Sequence, residues 1–239
     1  MGKPKQFTRP PKKQKPKAAV PETADDFQEA ADREEEAGGK HRVGDPSKSA
    51  RAFVRALEIY DMGLQRHPTS FDLAYNKARL QFEITQQASL VEHIRLPLGD
   101  LLQQTLQSHR YALRLNEESA DTLFNLSQVL TSLAEQLSEA GDSFQAVPLL
   151  QESLELLSSC LSRQEMLLEQ QQMNLEDMDE GGVKLDPNEK PASNSGSDVS
   201  EQTASIESPI TASDLLDTVH ASMSSLTTLA PLVEQSALE

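Results

Sequence analysis

Apolar side chains recur along this chain at the spacing of amphipathic helices. The clearest stretch opens at Asp45-Pro46, where Asp is a favoured N-cap and Pro fits the first helical position. The apolar positions that follow share one face of a helix with a 3.6-residue period, and they are Ala50, Phe53, Val54, Leu57, Tyr60 and Leu64. We therefore expect a helix here whose apolar face packs on neighbouring helices.

Six further helices are predicted from the same spacing and from capping signals. Thr23 is a candidate N-cap for the first helix, and Gly38-Gly39 is expected to end it. Pro231 is expected to stop the last one. The predicted spans of these six helices are about 23–36, 70–86, 98–115, 119–139, 143–174 and 213–229. A succession of amphipathic helices predicts an all-α fold.

One motif occurs twice. Residues 70–80 are echoed by residues 120–130, and each copy follows a helical stretch that ends in a polar turn. The matched pairs are Asp72 with Asp121, Tyr75 with Phe124, Asn76 with Asn125, and Ala78 with Ser127. Two such units cannot each bury a hydrophobic face alone, so the repetition predicts stacked helical hairpins, a solenoid rather than a globular enzyme core.

The residues around this motif resemble the tetratricopeptide-repeat (TPR) family. Its second-helix pattern is matched by Ala56, Tyr60, Gly63 and Pro68, by Ala112 with Asn116-Glu117, and by Ala146, Leu150 and Ser153. The resemblance covers residues 25–165 and implies a right-handed solenoid of helical hairpins. The usual repeat has about 34 residues, whereas the two motif copies are 49 residues apart. About 15 residues are therefore inserted, and we place them within 85–102, where Pro97 breaks the helix.

Composition divides the chain into four segments. Residues 1–22 form a basic tail that contains prolines, and residues 23–174 form the TPR-like helical domain. Residues 175–210 are an acidic and Ser-rich linker with few large apolar side chains, which cannot bury enough surface to offset its ordering entropy. We predict that the tail and the linker are disordered. Residues 211–239 carry an amphipathic helix that is expected to cap the exposed end of the solenoid.

Charge is distributed unevenly. The first 17 residues carry a charge of +7 in a chain of formal net charge −16, so the remaining residues sum to −23. The candidate nuclear import signal in this tail consists of Lys12, Lys13, Lys15 and Lys17. Two alternatives are a solubilising tail without a receptor and direct nucleic-acid binding, which the acidic body opposes. The chain has no long apolar run, no apolar secretory signal and a single cysteine, Cys160. We expect it in the cytoplasm, the nucleus or both.

No catalytic or metal-binding constellation is recognisable in the sequence. The five histidines are scattered, Cys160 has no second cysteine with which to bind zinc, and the glycine pairs form no phosphate-binding loop. We therefore expect a protein without enzymatic activity, cofactor or small-molecule ligand.

The TPR resemblance implies a partner-binding groove, because the first helix of each hairpin lines a concave surface in that family. The residues that the resemblance places on this surface are Asp72, Tyr75, Asn76, Arg79, Glu83, Asp121, Phe124, Asn125 and Gln128. Tyr75 and Phe124 are either core residues of the repeat or anchors for a ligand. The family's carboxylate clamp grips acidic tails of cytosolic chaperones with Lys side chains, and the equivalent positions here are aromatic or Asp. A groove that lacks these cations repels an acidic tail.

These features predict a non-enzymatic helical-repeat adaptor or chaperone whose acidic surface holds a basic client segment. In this respect the chain resembles the dedicated assembly chaperones that escort ribosomal proteins to the nucleus. The alternative is a co-chaperone or a scaffold subunit of a larger complex that binds a neutral or apolar peptide in the groove of Tyr75 and Phe124.

Overall fold

The structure is a computed structural model that describes residues 20–180 and 209–236, with side chains over 20–174 and 209–234. Within these ranges every regular element is a helix, which confirms the all-α prediction. The helices are α1 (Ala24–His41), α2 (Pro46–Arg66), α3 (Phe71–Thr85), α4 (Ala88–Val91), α5 (Leu98–Leu115), α6 (Ala120–Glu139), α7 (Ser143–Glu180) and α8 (Ala212–Ser236). The short α4 lies in the predicted insertion.

The helices pair as antiparallel hairpins. α1 lies along α2, with Phe27 beside Gly63 at one end and Gly38 beside Phe53 at the other. α3 pairs with α5, and α6 pairs with α7. Because α2 contacts α3 and α5 contacts α6, the three hairpins pack in chain order. The first helices α1, α3 and α6 also contact one another in series, so they build one side of the molecule.

The hydrophobic core runs through the hairpins in adjoining clusters. The cluster between α1, α2, α3 and α4 consists of Phe27, Ala31, Ala50, Phe53, Ala56, Tyr60, Leu73, Leu80, Ile84 and Leu90. The cluster between α5 and α6 consists of Leu102, Leu106, Leu126, Val129, Leu130 and Leu133. Fully burying one such large apolar side chain contributes about 1.5–3 kcal/mol. Packing of the apolar helix faces therefore holds the hairpins together.

Side-chain caps fix the starts of several helices, including α1, α3 and α6. Thr23 Oγ1 accepts a hydrogen bond from the backbone N–H of Asp26 at 3.1 Å, and the Asp26 carboxylate accepts one from the backbone N–H of Thr23 at 3.0 Å. This reciprocal capping box begins α1. Ser70 and Ser119 cap α3 and α6 in the same way, by accepting from the backbone N–H three residues on. The matched residues of the two motif copies, such as Asp72 and Asp121, therefore occupy equivalent helix positions.

Three helix ends differ from the prediction, and one of them is the end of α7, which continues to Glu180 into the segment predicted as a linker from residue 175. α1 does not end at Gly38-Gly39 but continues to His41. Gly38 serves instead as a point of close approach, because a Cβ atom there would lie 2.4 Å from Cε1 of Phe53. α8 is not stopped by Pro231 but continues to Ser236. Leu232 is buried against α6 and α7, and this packing outweighs the backbone hydrogen bond that Pro231 cannot make.

α8 packs along α7 through small and polar side chains. Ser225 Oγ lies 2.9 Å from Thr131 Oγ1 of α6 and 3.4 Å from Ser153 Oγ of α7. Closer to the start of α8, Thr218 Oγ1 donates to Gln164 Oε1 of α7 at 2.9 Å. All of these side chains are buried, so α8 covers the outer side of the last hairpin.

A buried histidine lies on α5. One ring nitrogen of His109, Nδ1, is 3.0 Å from the backbone oxygen of Thr105, and the ring of Phe82 meets it edge-on. The other nitrogen, Nε2, is buried without a hydrogen-bond partner among the described residues. Burial lowers the pKa of His109 from 6.5 to about 4, because the charged ring would be desolvated.

The free energy of unfolding of the chain is expected to decrease as the pH is lowered from 6.5 to about 4. In this window the unfolded chain binds a proton at His109 and the folded chain does not, so acid favours unfolding. The stabilisation is fully present above the unfolded pKa and amounts to about 3 kcal/mol. We expect His109→Gln to flatten this part of the pH profile of Tm, measured by circular dichroism. Parallel profiles for the native chain and the variant would contradict a neutral, buried His109.

Candidate peptide-binding groove

The predicted groove residues lie on the side of the molecule built by α1, α3 and α6, which we call the first-helix side. Asn76 Nδ2 on α3 donates to Gln28 Oε1 on α1 at 3.2 Å. One hairpin further on, Asn125 Nδ2 on α6 donates to Tyr75 Oη on α3 at 3.3 Å. The two matched asparagines thus make the same kind of contact, a side-chain bridge to the preceding first helix.

Arg79, on the first-helix side, forms ion pairs with acids of the chain itself. Arg79 Nη2 pairs with Glu35 of α1 at 2.5 Å, and its Nη1 contacts Glu83 one turn further along α3 at 3.4 Å. Arg42 also pairs with Glu83. Glu35 in addition accepts a hydrogen bond from the hydroxyl of Tyr60 at 2.7 Å, and burial together with this bond raises the pKa of that phenol. Arg79 therefore links α1 to α3.

The aromatic positions are half-buried. The ring of Tyr75 stacks on Phe71, with their centroids 5.8 Å apart. Burial and the charge of Asp121 raise the pKa of Tyr75. Phe124 packs against the cluster that contains Leu123 at the base of α6. Both aromatic side chains therefore contribute to packing between the helices and keep only part of their surface exposed.

The remaining predicted residues lie at the start and middle of α3 and α6. Asp72 and Asp121 occupy equivalent positions in the first turn of each helix, and both side chains are exposed. Gln128 is half-buried two turns into α6. The helix dipole favours negative charge in the first turn of a helix, and these two aspartates place two acids at this end of the first-helix side.

An acidic cleft continues the first-helix side toward the C-terminal ends of α3 and α6. Its volume is about 490 Å³, and it carries the carboxylates of Glu92, Glu135 and Glu139. The other residues lining it are Thr85, Gln86, Ala88, Val91, Leu98, Leu102, Ser132 and Gln136. None of the lining residues is a cation. Burial and the neighbouring charge of Glu139 raise the pKa of Glu135.

The sequence reasoning missed this acidic cleft, although the signal was present. Glu135 and Glu139 follow Gln128 by seven and eleven residues, which returns both to nearly the same face of a helix with 3.6 residues per turn. Glu92 gave no such signal, because it belongs to the insertion after α3, whose path depends on tertiary packing. Extending the face of Gln128 to the end of α6 would have found two of the three carboxylates.

The candidate nuclear import signal has no counterpart in the described part of the chain. Lys12, Lys13, Lys15 and Lys17 lie outside the described residues. Among residues 20–180 and 209–236, no three His, Cys, Asp or Glu side chains are grouped so that they could hold a metal ion. Within the same ranges no helix combines the length and apolarity that crossing a membrane requires.

Over residues 20–180 and 209–236, the geometry defines an all-helical arrangement of packed hairpins with an acidic first-helix side. No protein-family model matches the chain. Over 154 residues it is 34% identical to UPF0656 protein C926.02 of Schizosaccharomyces pombe. This similarity covers 64% of the chain but 33% of the relative, so the chain spans about a third of the length of the curated protein that it matches.

Proposed function

We propose that this chain is a non-enzymatic, protein-binding solenoid of the TPR type. In this proposal it acts as an adaptor or chaperone that holds a basic segment of a client protein on its first-helix side. The three hairpins in chain order, α1 with α2, α3 with α5 and α6 with α7, support the solenoid architecture. The contacts of α1, α3 and α6 in series support a continuous binding side.

The acidic cleft is the observation that carries the proposal. Three carboxylates line a cleft of about 490 Å³ whose lining contains no Lys or Arg. Glu135 has its pKa raised by burial and by Glu139, so a Lys or Arg side chain placed between them would relieve this repulsion. Because Arg79 is already paired with Glu35 and Glu83, it leaves little positive charge to oppose a basic ligand.

Titration of the full chain with a Lys-rich peptide tests this proposal. We expect the triple variant Glu92→Gln, Glu135→Gln, Glu139→Gln to weaken binding about tenfold, since three exposed ion pairs at roughly 0.5 kcal/mol each are lost. Raising the salt concentration should weaken binding to the native chain and have less effect on the variant. Calorimetry or fluorescence anisotropy with a labelled peptide gives both quantities.

The matched control is a second triple variant, in which three other exposed glutamates are changed to Gln. They lie outside the cleft and form no ion pair with another described residue, and they are Glu58, Glu155 and Glu165. Changing them to Gln alters the net charge by the same amount and should leave affinity nearly unchanged. If both triple variants lose the same affinity for the Lys-rich peptide, the net charge of the chain explains the effect and the cleft does not. Salt-independent binding of a neutral, apolar peptide would instead favour a co-chaperone or scaffold that uses Tyr75 and Phe124.

Localisation to the nucleus as well as the cytoplasm is part of the proposal and depends on the basic tail. If Lys12, Lys13, Lys15 and Lys17 are read by an import receptor, changing them to Gln should shift a tagged chain toward the cytoplasm. Its melting curve should stay unchanged, because the composition of the tail predicts a disordered segment that contributes no core contacts. An unchanged distribution would leave the tail with a solubilising role.

A further inference from the structure

A second, mostly apolar pocket lies away from the acidic cleft, between α2, α3, α5 and the insertion. Its volume is about 260 Å³. The residues lining it are Val54, Leu57, Gln81, Ile84, Ile94, Arg95, Leu96, Leu101, Gln104 and Thr105. We call it the insert pocket. Nothing in the proposed binding of a basic client uses it.

The insertion supplies one wall of this pocket. α4 anchors the insertion, because Leu90 is fully buried in the core cluster of Ile84. The chain then places Ile94 and Leu96 opposite α2. At the rim, Val54 and Leu96 remain 37% and 40% exposed, although both are large apolar side chains. The residues that interrupt the repeat therefore form an apolar recess that a regular hairpin would lack.

One residue that lines the pocket, Gln81, carries an unsatisfied hydrogen-bond acceptor. Oε1 of Gln81 is buried and has no partner among the described residues. A buried acceptor without a donor costs about 1–3 kcal/mol, so a ligand that brings a donor gains this energy back. The nearby hydroxyl of Thr105 cannot serve, because it donates to the backbone oxygen of Leu101 at 2.7 Å. The occupant must therefore combine a large apolar body with one N–H or O–H donor.

Charge at the rim adds a second requirement. Among the lining residues Arg95 carries a charge, its side chain is exposed, and it forms no ion pair with another described residue. An acidic residue beside the apolar anchor would complement it. Of the aromatic side chains, Trp presents an N–H donor and no acceptor that would itself need a partner. It is also the residue most enriched among the buried anchors of protein interfaces.

We propose that the insert pocket binds a tryptophan side chain of an acidic partner segment. The Gln81 side chain turns its amide toward the pocket when the indole enters, so that the indole N–H donates to Oε1, and an acid next to the tryptophan pairs with Arg95. The occupant belongs to a different protein, since this chain contains no tryptophan. Its three tyrosines, Tyr60, Tyr75 and Tyr111, are fixed in α2, α3 and α5. A second copy of the chain therefore cannot supply the anchor.

The absence of tryptophan from the chain gives a direct assay. The full chain is titrated into a short peptide that contains one Trp between Asp and Glu residues, and all tryptophan emission then comes from the peptide. We expect a saturable blue shift as the indole leaves water. The same peptide with Phe in place of Trp, used as a competitor, should bind about fivefold more weakly, which corresponds to one hydrogen bond. A version with Lys flanks should also bind more weakly.

Two variants locate the binding site. Gln81→Leu keeps a similar shape but removes the acceptor. It should therefore weaken binding of the Trp peptide about fivefold and leave the affinity for the Phe peptide unchanged. Val54→Phe fills the recess from its exposed rim and should abolish binding of both peptides. Val43→Phe is the matched control, because Val43 is 97% exposed in the loop between α1 and α2 and lies outside the pocket.

Three results would overturn the proposal. One is the absence of a saturable blue shift with the Trp peptide. Another is equal affinity of the native chain for the Trp and Phe peptides. The third is unchanged binding by Val54→Phe, which would place the peptide elsewhere on the surface. The outcome is independent of the acidic cleft, because Glu92, Glu135 and Glu139 do not line the insert pocket.

Discussion

Replacing Gly38 by Ala is expected to destabilise the chain relative to the same replacement at Gly39. A Cβ atom on Gly38 would lie 2.4, 2.6 and 2.9 Å from three atoms of the Phe53 ring, whereas a Cβ atom on Gly39 would meet nothing within 4 Å. Both glycines lie inside α1, so both variants gain about 1 kcal/mol of helix propensity. The difference between them is therefore the overpacking cost alone, about 1–3 kcal/mol.

Urea denaturation of the two variants and the native chain measures this difference directly. Gly39→Ala should be more stable than the native chain, and Gly38→Ala less stable than Gly39→Ala. Phe53 is 1% exposed in the core between α1 and α2, so its ring has little room to move aside. If the two alanine variants are equally stable, α1 and α2 do not approach each other at Gly38.

This pair of glycines also shows where reasoning from sequence alone succeeds and where it fails. Apolar periodicity and caps predicted the seven long helices, because both signals are local and are read within a few residues. A glycine pair is ambiguous at that level: it can end a helix or allow another helix to approach. The choice depends on Phe53, fifteen residues further along the chain. The same applies to Pro231, which stays helical because Leu232 is buried against distant residues.

Some features of the candidate groove could be predicted from the sequence and others could not. The repeated motif placed Asn76 and Asn125 on first helices, and the structure shows that each bridges to the preceding first helix. The partner of Arg79 could not be predicted, because Glu35 is 44 residues away and belongs to a helix without a matching motif. Glu92 and the insert pocket were also out of reach, since insertions carry no periodic signal and their path is set by tertiary contacts.

Displacing α8 is expected to expose Cys160, the one cysteine in the chain. Its Sγ is fully buried, 3.4 Å from the backbone oxygen of Ala120 on α6 and 3.8 Å from Thr218 Oγ1 on α8. Burial raises the pKa of this thiol, which further slows its reaction with thiol reagents. We therefore expect that labelling of Cys160 in the native chain requires α8 to open first.

Ser225→Arg should open this contact. Ser225 is fully buried, with its hydroxyl 2.9 Å from Thr131 Oγ1, and a guanidinium cannot be accommodated there without a partner. If the substitution destabilises the docked state of α8 by about 3 kcal/mol, the population of the open state rises roughly 100-fold. The rate of thiol labelling, followed by mass spectrometry under native conditions, should rise by the same factor.

Ser224→Arg is the matched control, because Ser224 is exposed, about 100° around α8 from Ser225, and tolerates the same side chain. It should leave the labelling rate at the native level. A small loss of helix signal in Ser225→Arg, confined to α8, would show that the three hairpins remain folded while the thiol becomes accessible. Rapid labelling of the native chain, or equal rates in both variants, would mean that α8 does not protect Cys160. Because the contacts of α8 with α6 and α7 around Ser225 and Thr218 are small and polar, we expect this helix to open before the apolar hairpins do.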